Sequence, residues 1–99
     1  MKLRFTPTAR TRFLETLAYI RQDKPSAARR FRERVETVLR RLEDVPESGR
    51  VIPEFPELPH REVLIGVHRF LYRVERQTVW VVAVWHGARR MREPDSGGA

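Results

Sequence analysis

Apolar and polar positions change period along the chain, and each change marks an element. Lys2-Leu3-Arg4-Phe5 alternates polar and apolar and predicts a short opening strand. From Thr6 the period lengthens: Ala9, Phe13, Leu17 and Ile20 recur at helical spacing and mark one buried stripe. Thr6 is placed to cap that helix and Pro7 to occupy its first position. Lys24-Pro25 ends it, because proline pushes the preceding residue out of the α region. A second helix is predicted from Pro25 or Ser26 to Asp44. Its seam is Ala28, Phe31, Val35, Val38 and Leu42, with Arg29, Arg30, Arg32, Arg34, Arg40 and Arg41 on the far side. The short break makes the two helices an antiparallel hairpin.

The segment from Val45 to Gly49 stops the second helix. Residues 50–60 contain Pro53, Pro56 and Pro59, which lack the amide donors of a strand interior, and read as an ordered loop long enough to suggest function. Period two returns in Arg61-Glu62-Val63-Leu64-Ile65, which ends at Gly66. It continues in a hairpin of Arg69–Glu75 and Thr78–His86, joined by a tight turn at Arg76-Gln77. The run from Thr78 to Trp85 is rich in β-branched and aromatic residues, as suits a strand buried on both faces. Strict alternation puts Val79, Val81, Ala83 and Trp85 on one face and Trp80, Val82, Val84 and His86 on the other. On Arg69–Glu75 it separates Phe70, Tyr72 and Val74 from Arg69, Leu71, Arg73 and Glu75. The expected fold is α+β, ordered strand-helix-helix-strand-strand-strand, with the helical hairpin packed on a four-stranded, mostly antiparallel sheet. Residues 1–93 form one domain, and 94–99 are expected to be a disordered tail.

Charge adds a partner class. Lysine and arginine total 20 against 13 acids, a net charge of +7, and every base except Lys2 and Lys24 is arginine. The balance points to an anionic partner, nucleic acid or an acidic protein. A genome that spells its bases as arginine accounts for the bias toward arginine but less well for the net charge. Cysteine is absent, which excludes disulfides and thiolate metal sites. No stretch resembles a signal peptide or a membrane span, so a cytoplasmic protein that contacts no membrane is expected.

Glycine-rich phosphate loops and nucleophile elbows are missing. His60, His68 and His86 fall in separate elements, and neither a metal nor a cofactor is expected. What remains is a set of single residues. Glu54 comes from the loop, Arg61, Arg69 and Arg73 from the sheet, and His86 from the end of the last strand, with Arg89 and Arg90 just beyond. Cleavage of RNA needs a base, an acid and cations for the phosphorane. Glu54 or His86 suits the proton roles, and the arginines suit the phosphate. Each also has an ordinary role: Arg61 and Arg73 as partners of Glu62 and Glu75, Glu54 as loop surface, His86 as a structural histidine. Tyr72 and Trp80 read as core.

The ordered series of short motifs resembles the RelE/ParE superfamily of toxins from type II toxin–antitoxin systems. It runs through Thr6-Pro7-x-Ala9, Tyr19-Ile20, Pro25-x-Ala27-Ala28-x-x-Phe31, Leu42-x-x-x-Pro46-x-x-Gly49 and Pro53-Glu54. It continues in Arg61-Glu62-Val63, Arg69-Phe70-Leu71-Tyr72-Arg73-Val74 and Val84-Trp85-His86-Gly87-Ala88-Arg89, covering Leu3 to about Arg92.

The resemblance implies a growth-inhibiting toxin of the plasmid-stabilisation kind. An antitoxin holds it inactive and supplies any contact with operator DNA. RelE-like members cut mRNA on the ribosome, some with a Glu, Arg and His/Tyr set that Glu54 and Arg69 match by context and His86 approximately. The tyrosine expected near the C-terminus and the catalytic lysines of other branches are missing here. ParE-like members instead poison DNA gyrase by binding, and the ending Val84 to Arg89 looks more like theirs. Gyrase inhibition is the expected activity, with a metal-independent endoribonuclease, or an inactive member that only binds its antitoxin, as alternatives.

Overall fold

The computed structural model describes residues 1–87. The tail expected over 94–99, and Arg89 and Arg90, lie outside the described residues. Strand β1 (Lys2–Phe5) leads into helices α1 (Pro7–Asp23) and α2 (Pro25–Asp44). Four strands follow, β2 (Arg50–Val51), β3 (Arg61–Ile65), β4 (His68–Glu75) and β5 (Thr78–His86). They form one sheet in the order β1-β5-β4-β3-β2, with β1 parallel to β5 and the other neighbours antiparallel. Among the described residues the sheet therefore has five strands rather than four and is mixed. The added strand is Arg50–Val51, which pairs with Glu62 and Arg61 before the prolines begin. It opens the segment read as loop.

Local chemistry accounts for both helices. The Thr6 hydroxyl accepts a hydrogen bond from the Ala9 amide at 3.2 Å, and Pro7 fills the first helical position. Lys24 alone separates the helices, in extended conformation before Pro25. Both helices lie on one face of the sheet. There Ala9, Val35, Leu39 and Leu42 meet Ile65, Phe70, Tyr72, Val79, Val81 and Val84. Phe70 is fully buried, with the Phe13 ring edge-on at 6.0 Å and the Phe31 ring at 6.3 Å. A second cluster covers the opposite face, where Ile52 and Phe55 from the loop pack on Leu71, Val82, Ala83, Trp80 and Trp85. Covering both faces explains why β5 is apolar on both sides.

Alternation fails at one point in β5. Leu71 pairs with Ala83 but Tyr72 with Val81, so Val82 is an extra residue, a β-bulge. Val82 and Ala83 consequently both turn into the second cluster, while Val84 returns to the helix side. Beyond the bulge every residue sits on the face opposite to the one strict alternation assigns. That shift decides where His86 lies.

The two hairpins differ in their turns. Gly66 takes φ of 61° in the two-residue link between β3 and β4. Arg76 and Gln77 both adopt positive φ, 51° and 65°, as a type I′ turn requires. Neither residue is suited to that conformation. Replacing Arg76-Gln77 by Asn-Gly is expected to stabilise the fold by about 1 kcal/mol, read as a higher midpoint in urea unfolding.

Candidate functional site

The face away from the helices holds a chain of four charges. Arg50 stands on β2, Glu62 on β3, Arg69 on β4, and Glu54 in the loop between β2 and β3. Arg69 donates to both oxygens of Glu54, Nη1 to Oε2 and Nη2 to Oε1, each at 2.8 Å. Its Nε donates to Glu62 Oε1 at 2.7 Å, and Arg50 Nε donates to Glu62 Oε2 at 2.6 Å. The Glu62 side chain is wholly buried and that of Arg69 is 8% exposed, while Glu54 is 40% exposed. Two arginines and two glutamates cancel in charge, which is the condition for keeping such groups out of water. Hydrogen bonds from Arg69 hold the Glu54 carboxyl down at about 2, against its slight desolvation. The bonds to Glu54, and then those to Glu62, raise Arg69 further above the ordinary guanidinium range. Both side chains are locked in their charged forms.

The other candidate residues are dispersed. Arg61 sits on the helix side of β3 and donates from Nη1 to the Gly49 carbonyl at 3.0 Å, closing the segment after α2. Arg73 pairs with Glu75 at 2.8 Å, and its buried Nε has no hydrogen-bond partner among the described residues. His86 pairs across the sheet with His68, which shares a face of β4 with Phe70, a buried member of the helix-side core. His68 rests on Phe31 of α2, so the histidine pair lies on the helix side. Arg69 lies between His68 and Phe70 in sequence and therefore points the other way. Glu54 and Arg69 are brought together, and His86 is on the opposite face of the sheet.

Residues that the pattern of the sequence did not single out complete the arrangement. Glu62 and Arg50 make the second half of the ion-pair chain. Tyr72, expected to be core, is buried and also acts as a clamp. Its hydroxyl donates to the Pro46 carbonyl at 2.6 Å and accepts from the Gly49 amide at 3.0 Å, and burial raises its pKa. The available signal for Glu62 was an acid inside a short strand, flanked by the apolar run Val63-Leu64-Ile65. Nothing in the sequence reported the loop-closing role of Tyr72.

Among the described residues, no group of three or more His, Asp or Glu side chains could hold a metal ion. No described helix is long and apolar enough to cross a membrane. The family described as "ParE toxin of type II toxin-antitoxin system, parDE" has a sequence model that matches residues 3–91. The chain belongs to this family. It is thus a RelE/ParE-superfamily toxin of a type II system, and an antitoxin is its partner. No curated protein matches the chain. The match begins in β1 and includes both helices and all four later strands, so the toxin fold and the ion-pair chain lie within it.

Proposed function

We propose that this toxin stops growth in the cytoplasm by binding DNA gyrase, and does not cut RNA. The observation that carries the proposal is the arrangement around Arg69. A nuclease site needs a proton donor, a proton acceptor and a phosphate-binding cation within reach of one scissile bond. Here the cation is bound on both sides by carboxylates, Glu54 and Glu62. Glu54 is a very weak base when held at about 2. The third member, His86, faces the helices with His68. A chain of satisfied charges fits a structural role better than a proton-transfer role.

The antitoxin contact is supported by shape and charge. A groove of about 710 Å³ beside β1 has an apolar lining of Leu3, Phe13, Leu14 and Trp80 with Arg4 and Arg10 among them. With a net charge of +7, such a surface suits an acidic segment that carries apolar side chains.

Toxicity of variants tests the proposal. Induced expression of Glu54→Ala and of His86→Ala, each at wild-type protein level, is expected to arrest growth as the unaltered toxin does, with cellular transcripts intact. Relief of toxicity in both variants, together with cut transcripts in the wild type, would point to the RelE-like endonuclease instead.

A further inference from the structure

The register of β4 and β5 joins two histidines that the sequence keeps 18 positions apart, as the numbers 68 and 86 show. His68 is the first residue of β4 and His86 the last of β5, and they are directly opposed across the antiparallel pair. Their ring centroids are 5.6 Å apart, with the planes at 79°. Phe31 stacks against His68 at 5.1 Å and fixes its ring from the helix side. His68 is half-buried and His86 exposed, so the pair opens to solvent at the end of the sheet.

We propose that His68 and His86 form a two-imidazole chelate for a first-row divalent transition-metal ion such as Ni²⁺, Cu²⁺ or Zn²⁺. Imidazole nitrogen suits these ions, and the chain has no thiol to compete for them. A metal–nitrogen bond of about 2.1 Å puts each ring centre about 3.2 Å from the ion, so two centres lie about 4.5–5.2 Å apart at angles of about 90–110°. The pair is a few tenths of an ångström outside that range, within reach of a small rotation of the exposed His86 ring. Water completes the coordination shell, because no group of three metal-ligating side chains occurs among the described residues. A bound ion ties the start of β4 to the end of β5, at the point where the chain leaves the sheet beside the Gly87 to Val67 backbone hydrogen bond.

Metal titration of the full chain, free of any histidine tag, tests the chelate. With CuCl₂ the expected result is one ion per chain and an electron paramagnetic resonance spectrum split by two imidazole nitrogens. With NiCl₂ the thermal midpoint is expected to rise with the logarithm of metal concentration. His86→Gln, at an exposed position, is expected to weaken binding about 100-fold, since the chelate is reduced to a single imidazole. His68→Asn is expected to do the same, and both variants keep the wild-type midpoint without metal. Equal binding by wild type and His86→Gln would overturn the proposal, as would a wild-type spectrum of aqueous Cu²⁺ alone.

Discussion

Arg69→Ala is expected to destabilise the toxin by about 3 kcal/mol, because it leaves the Glu62 carboxylate buried with one of its two partners gone. For a domain of this size that is a fall of roughly 12–24 °C in the thermal midpoint. Urea unfolding checks the magnitude. The cause is separable from packing. Glu62→Leu combined with Arg69→Met replaces the buried charges by apolar groups of similar volume, and such an exchange costs little or stabilises. Glu54 and Arg50 then remain at a partly exposed surface where their charges are hydrated. If Arg69→Ala alone unfolds at the wild-type midpoint, the ion-pair chain contributes nothing and its structural role is wrong. The comparison also bears on function. Loss of toxicity in Arg69→Ala at reduced folded protein is not evidence of a catalytic arginine.

Gly49→Ala has the second largest expected effect. A Cβ at Gly49 would stand 2.5 Å from the Tyr72 hydroxyl, 2.7 Å from Tyr72 Cε1 and 2.8 Å from the Glu62 carbonyl oxygen. The carbonyl belongs to β3 and cannot move independently of the sheet. The hydroxyl is held from the other side by Pro46, so the relief of one clash breaks both hydrogen bonds of the clamp. Overpacking of this kind costs about 2–3 kcal/mol, and the freed hydroxyl adds to it. A double-mutant cycle with Tyr72→Phe isolates the coupling, which is expected to exceed about 1 kcal/mol. Additive effects of the two substitutions would show that Tyr72 does not hold the segment after α2.

The helices were legible in the sequence because each carries its own stop signals and a single apolar stripe. Thr6-Pro7 and Lys24-Pro25 set their limits by backbone chemistry that acts within a few residues. The bulge in β5 was not legible. Val81, Val82, Ala83 and Val84 are all apolar and all buried, so hydrophobic alternation carries no information about which one is extra. The same silence grouped His86 with Trp80 and Val82, which face away from the helices. Likewise Arg50–Val51 was hidden by the three prolines that follow it, although the ladder with β3 ends before the first of them. The pairing of Glu54 with Arg69 depends on how the loop folds over the sheet, which no local pattern encodes. The motif that carried the family resemblance, Arg69-Phe70-Leu71-Tyr72-Arg73-Val74, is largely architectural. Phe70, Leu71 and Tyr72 fill the two cores, and Arg69 satisfies two carboxylates.

That division frames the activity. If the charged residues of the sheet are committed to the fold, toxicity must come from a surface that binds. The most direct measurement adds the purified toxin to DNA gyrase, relaxed plasmid and ATP, with programmed ribosomes carrying a labelled mRNA assayed in parallel. Inhibited supercoiling with uncut mRNA is the predicted result. Cut mRNA with supercoiling unaffected would contradict the account.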